Sequence, residues 1–305
     1  MTTRRRFLAI SAAAATFPSV GSTASVYTWQ GVALGARATL RLEHTDAKAI
    51  SERVASEISR LEDIFSLYRP DSSLMQLNQT GRLDAPPFEL LECLTLAGAV
   101  HKASEGQFDV TIQPLWACYA DASVLGQTPE RNALSAALSR TGWAHVRFHA
   151  SSVQLKPDMA LTLNGIAQGY IADRVAVMLE AEGLTNVLVD TGEYRALGSH
   201  PNGRAWPVKL AAGGEVPLAS RALATSAPLG TTFDTDAQVG HILDPRTGLP
   251  APALWKEISI SAGSAALADA LSTAACLCES EMAMEQLVEK FAGTRIEAAV
   301  PFRRL

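Results

Sequence analysis

The sequence predicts an α+β fold in one domain, with mixed strands and packed helices. Stretches with apolar residues at every third or fourth position alternate irregularly with short β-branched runs, so the steady strand–helix rhythm of a parallel sheet is missing. After the first two dozen residues no internal repeat, low-complexity segment or linker divides the chain. Its 305 residues, 48% of them hydrophobic, suffice for one large core.

The elements follow in order. Val26–Trp29 and Ala36–Leu42 read as strands on either side of Gly35. Ile50, Val54, Ile58, Leu61 and Phe65 set a helix over Ala47–Phe65, with Thr45 or Asp46 as its cap. A second helix follows Pro87, turning Leu91, Leu94, Ala97 and Val100 or His101 inward. Residues 130–140 form a third, and Val146–Phe148 with Val153–Leu155 a hairpin. Asn164-Gly165 opens a helix that Gly183 ends, followed by a strand over Asn186–Asp190. Short strands are expected at Pro207–Leu210, Ala222–Thr225, Gly240–Leu243 and Glu257–Ser261. Helices over Ala265–Cys278 and 281–291 and a strand near Ile296–Val300 complete the chain.

Residues 1–24 stand apart from that fold. Arg4-Arg5-Arg6 precedes Phe7-Leu8 and an alanine-rich apolar run to Phe17, and Ser22-Thr23-Ala24 offers small residues for cleavage. This order is that of a twin-arginine signal peptide, so export to the periplasm is expected, leaving residues 25–305 as the working domain. Removing the leader takes away three arginines and no acid, moving the net charge from −5 to −8. That balance gives no reason to expect a nucleic-acid partner. Beyond the leader no apolar run is long enough to cross a bilayer. Cys93, Cys118, Cys276 and Cys278 lack zinc spacing and read as buried free thiols, with a disulfide as the alternative.

Three segments could carry chemistry. Asp269, Ser272 and Thr273 share one helix face at i, i+3 and i+4, a set of oxygens suited to a hard cation such as magnesium. The same spacing also fits an aspartate with two hydroxyls bonded back to their own helix. His241-Ile242-Leu243-Asp244-Pro245-Arg246-Thr247-Gly248 runs from a strand into a turn, and its histidine is either structural or a base. Leu163-Asn164-Gly165-Ile166-Ala167-Gln168-Gly169-Tyr170 is a glycine-punctuated helix start whose N–H groups could meet a phosphate.

In order and wording these pieces resemble the ApbE family of flavin transferases. Phe65–Ser72 with Leu77-Asn78 is similar to the family's S-x-Y-x-P-x-S segment before L-N, and Gly106–Thr111 with Pro114-Leu115 to its G-x-F-D-x-T-x-x-P-L. The Asn164–Arg174 helix start, Val189–Gly192, Ala224–Ser226, His241–Gly248 and Ala268–Thr273 resemble further family segments in sequence. The likeness spans Leu34 to Leu277 and implies a single ApbE-like (T-fold-like) domain. Departures occur at Leu34-Gly35-Ala36 in place of M-G-T, at Gln168, at Ser272, at Glu193 in place of a glycine, and at Ala227-Pro228.

The resemblance implies transfer of FMN from FAD onto a Ser or Thr hydroxyl of an acceptor protein, with AMP released and Mg2+ required. It implies metal ligation by Asp269 and Thr273, with a backbone carbonyl near Ile171 and with Ser272, and His241 as general base. Leu34, Tyr68, Gln107, Phe108, Asp109, Gln168 and Ile242 would line the flavin and adenosine site, and Arg174 would face a phosphate. The implied acceptor is a membrane-bound respiratory protein, and the enzyme a monomer or dimer. Hydrolysis of FAD to FMN and AMP, flavin binding without transfer, and electron carriage remain open alternatives at this point.

Overall fold

The computed structural model describes residues 26–302, so the expected signal peptide lies outside the described residues. A seven-stranded antiparallel sheet forms the centre. Its strands are β1 (Tyr27–Ala33), β2 (Ala36–Leu42), β6 (Val187–Asp190), β7 (Tyr194–Leu197), β10 (Ala222–Ser226), β11 (Trp255–Ala262) and β12 (Arg295–Pro301), side by side in that order. Two smaller sheets flank it. One joins β3 (Arg82–Asp84), β5 (Ser152–Gln154) and β4 (Arg147–His149); the other is the hairpin of β8 (Trp206–Lys209) and β9 (Glu215–Leu218). The α+β class is therefore that of the molecule.

The central strands bury both faces. In β6, Val187 and Val189 point into the main core while Leu188 packs with Trp206, Val208 and Leu218 of the small hairpin. This two-residue alternation explains why β6 reads as an unbroken apolar run. On the main-core side lie α1 (Ala47–Phe65), α3 (Phe88–Ala103), α6 (Ala167–Ala181), α7 (Ala265–Ala275) and α8 (Glu281–Val288).

α1 runs over the expected residues, but Asp46 at its N-cap makes no side-chain capping bond. Two helices escape the sequence reading. α2 (Ser73–Thr80) is capped by Ser72, whose side chain accepts from the Met75 N–H at 3.1 Å. α4 (Gln113–Val124) carries no amphipathic stripe, because Leu115 and Tyr119 pack into a separate small cluster with Phe233 and Leu243. α5 (Arg131–Leu138) borders that cluster. Strands β7 and β9 are further additions. The expected strand over Gly240–Leu243 is instead a loop with two isolated bridges, Thr232 to Gly240 and Leu243 to Pro250. All four cysteines are free thiols.

The crossing of α6 and α7 positions the site. A Cβ on Gly169 would stand 2.3 Å from the Ala265 carbonyl oxygen, so only glycine lets the two helix starts approach this closely. Asp173, one turn further along α6, accepts from the N–H groups of Ala265 (2.9 Å) and Ala266 (3.0 Å) and from the Ser264 hydroxyl (2.7 Å). Ser264 is itself the N-cap of α7. One carboxylate thus satisfies donors that the first turn of α7 would otherwise leave orphaned.

Candidate functional site

A cavity of about 240 Å³ opens where the N-terminal end of α6, the middle of α7, both ends of the 227–245 loop and the 107–112 segment meet. Pockets for whole small molecules span roughly 300–1,000 Å³, so a dinucleotide would extend beyond this mouth. Asp109, Glu193 and Asp269 line it, with Asn164, Gln168, Thr225, Ser226, Thr231, His241 and Thr273 as further polar neighbours. Among the described residues no lysine or arginine lines it.

Asp269 is 3% exposed, and its Oδ2 accepts from the Gly169 N–H at 3.3 Å. Glu193 is 8% exposed, with Oε2 accepting from the Thr225 N–H at 3.2 Å. Burial pushes both carboxyls well above their ordinary pKa, and for Glu193 the charge of Asp269 adds to the shift. Among the described residues neither has a lysine or arginine beside it. Gly165 packs on Thr273, where an added Cβ would lie 3.1 Å from Oγ1. Among the described residues no cluster of three or more His, Cys, Asp or Glu side chains could by itself hold a metal. A cation here would rest on two carboxylates and neutral oxygens, which is how magnesium is commonly held. The residues present therefore fit such an ion.

His241 lines the cavity from the 227–245 loop. Its Nδ1 lies 3.0 Å from the Thr231 carbonyl, so the ring proton sits on Nδ1 and Nε2 keeps its lone pair. Burial lowers its pKa below the usual histidine value; the Thr231 and Pro228 carbonyls oppose that shift without reversing it. The ring is thus neutral near pH 7 and able to accept a proton.

The other expected site residues divide. Gln107, Phe108, Asp109, Gln168 and Ile242 line the cavity with His241, Asp269 and Thr273. Asp109 also has a structural task, accepting from the Thr111 N–H (2.8 Å) and hydroxyl (2.7 Å) and from the Trp143 N–H (3.1 Å). Ser272 is fully buried behind the wall. Its hydroxyl donates to the Asp269 carbonyl at 3.0 Å and shares a 2.7 Å contact with Ser226, so it braces α7.

Ile171, Arg174, Leu34 and Tyr68 do not line the cavity. Ile171 lies in the second turn of α6, where carbonyls are committed to the helix ladder; the backbone beside Asp269 and Thr273 is that of Gly165 and Gly169. Arg174 is six residues from Gln168, a rotation of about 240° at 100° per residue, and its charge lies beside Glu89 and Tyr170 instead. Leu34 sits in the β1–β2 turn with φ 47°, its N–H donating to Glu62 Oε1 at 2.7 Å. Arg69, next to the 57%-exposed Tyr68, pairs with the same Glu62. The turn and the loop thus meet each other outside the cavity. Sequence reasoning gave no role to Glu193 or Asn164; the signal for Glu193 was an acid in place of a glycine.

The chain matches the ApbE family over residues 33–298. It is 26% identical over 271 residues to an FAD:protein FMN transferase of Klebsiella pneumoniae, covering 82% of this chain and 77% of that protein. A protein of the same description from Chlamydia pneumoniae is 26% identical over 263 residues, with 82% of each chain covered. Among solved structures, the ApbE protein of Thermotoga maritima superposes with TM-score 0.80 at 25% identity, covering 92% of this chain and 97% of that one. The apo flavinyl transferase ApbE of Pseudomonas stutzeri gives 0.77 at 24%, covering 90% and 94%.

Proposed function

Because the chain belongs to the ApbE family, we propose that it is an FAD:protein FMN transferase, dependent on magnesium and acting on a Ser or Thr hydroxyl of an acceptor protein. The observation that carries this reading is the cavity's lining: three acidic side chains and, among the described residues, no lysine or arginine. A pyrophosphate could not enter such a lining without a cation to offset both its own charge and theirs.

Asp269 and Thr273, with the Gly165–Gly169 backbone beside them, would hold the magnesium, which when bound offsets charge on the phosphates and supports the leaving group. The N-terminal end of α6 faces the same space, so its dipole favours the phosphoryl oxygens. Phe108 and Ile242 supply apolar walls for a ring system. Nε2 of His241 takes the proton of the acceptor hydroxyl as its oxygen attacks the phosphorus that stays with FMN. The new O–P bond makes the phosphoester, the pyrophosphate bridge breaks, and AMP leaves with the bridging oxygen.

Residues 1–24 are proposed to direct twin-arginine export, which would place the domain in the periplasm facing a membrane-bound respiratory acceptor. The test is incubation with FAD, Mg2+ and candidate acceptor domains, followed by intact mass. Gain of one FMN on the acceptor, abolished by EDTA, is the expected result. Free FMN and AMP formed at the same rate without acceptor would replace the reading with hydrolysis, and bound FAD that is never cleaved would replace it with flavin binding alone.

A further inference from the structure

We infer that Glu193 is a second carboxylate of the cation site, acting with Asp269 to hold the divalent ion. The inference rests on the proposed metal-dependent reading and adds a residue to it. The argument begins with how Glu193 is placed. After β6 ends at Asp190, the chain turns through Gly192 at φ +104°, with the Gly192 N–H bonded to Asp190 Oδ1 at 3.0 Å. Thr191 pins that turn to the start of α6, its hydroxyl donating to the Gln168 carbonyl at 2.8 Å. An added Cβ on Gly192 would stand 2.9 Å from the Gln168 side chain, so the turn lies directly against the N-terminal end of α6. This construction aims Glu193 at the same cavity that Asp269 lines from α7.

Two observations separate Glu193 from an acid that merely braces the fold. Among the described residues the only hydrogen bond to its carboxylate comes from the Thr225 N–H, to Oε2; Oε1 has no donor and the side chain still lines the cavity. More than nine-tenths buried, it also has no lysine or arginine among the described residues lining the cavity to offset its charge, and neither has Asp269. Two buried carboxylates bearing on one space repel each other unless a cation lies between or beside them. The neighbouring Thr225 leads to Ser226, whose hydroxyl lies 3.4 Å from Thr273 Oγ1, so both acids and the threonine belong to one polar wall. Hard divalent ions take such oxygen sets directly or through retained water.

The test uses the whole mature chain and Mn2+ as the probe, read by electron paramagnetic resonance, with melting temperature followed in parallel. Glu193→Gln keeps an oxygen to accept from Thr225 while removing the charge. It should weaken Mn2+ binding at least tenfold and raise, or leave unchanged, the metal-free melting temperature, since a buried repulsion is relieved. Glu193→Asp, which keeps the charge on a shorter arm, should fall between wild type and Gln. Mn2+ affinity within twofold of wild type in both variants would overturn the inference while leaving the transferase reading in place. Wild-type protein that binds no Mn2+, alone or with FAD, would overturn both. A glutamine variant that melts lower yet binds Mn2+ normally would show Glu193 to be purely structural.

Discussion

Two kinds of element line the cavity. Asp269 and Thr273 stand on α7, held against α6 by a glycine contact that admits no Cβ and by a helix cap shared across the two elements. His241 and Ile242 stand on a loop, fixed by two isolated bridges and by backbone and ring contacts to Thr231. Each construction suits its load. Buried like charges must be kept at set distances against their repulsion, which takes packed helices with no freedom to slide. A proton acceptor facing an incoming hydroxyl needs one tautomer and one orientation, which backbone carbonyls such as that of Thr231 supply. Damage to the helical wall should therefore cost metal binding, and stability as well where it breaks the α6–α7 contact, whereas damage to the loop wall should cost turnover alone.

The sharpest break is Asp269→Ala. It removes a charged group from the helical wall, and transfer should fall below detection while circular dichroism stays native; near-normal turnover at low magnesium would show that α7 carries no metal ligand. On the loop wall, His241→Ala should reduce transfer by about 10²–10⁴-fold with Mn2+ binding intact. The wild-type rate should fall with decreasing pH as His241 protonates below the ordinary histidine pKa, because burial lowers its value. That acidic limb should be absent from the alanine variant. If the variant instead loses FAD affinity and turns over normally at saturation, His241 is a binding residue.

Gly169→Ala forces its Cβ onto the Ala265 carbonyl and should cost about 1–3 kcal/mol, read from urea denaturation, together with weaker Mn2+ binding. An equivalent insult on the loop side has no such coupled effect.

The acids predict a pH dependence of opposite sign to that of the histidine rate. Burial raises Asp190 to about 6 and raises Asp269 and Glu193 as well. Groups with raised folded values contribute stability that is fully present below their unfolded pKa of about 4 and is lost as pH rises through the folded value. In EDTA the melting temperature should therefore decline from about pH 5 to pH 8, and Mg2+ at pH 8 should restore it. A metal-free melting temperature that is flat across this range would remove the repulsion from the account. The smallest effect is expected from Ser264→Ala, a cap on α7 worth about 1 kcal/mol in thermal or urea melts.

Legibility in the sequence followed local pattern. α1 was readable to the residue because five apolar positions at helical spacing all serve one core. α4 was not, since its buried face packs on a side cluster formed with Phe233 and Leu243 from more than a hundred residues away. The Gly240–Leu243 segment has the composition of a strand, yet it finds no continuous partner edge and bridges only singly to Thr232 and Pro250.

What the sequence alone determined is the set of chemical groups and their local spacing. The i, i+4 pair Asp269 and Thr273, the glycine-bearing start of α6, the histidine before its turn and the ordered family segments are all local features. Tertiary structure decided which of these groups share a space. Arg174 turned away from the cavity because helical rotation sets direction, and Ser272 turned inward because Ser226 met it from β10. Glu193 became a partner of Asp269, 76 residues further on, because one turn of β6 is pinned to the start of α6. Spacing along a helix is a property of the chain, whereas the approach of two carboxylates depends on packing that brings distant segments together.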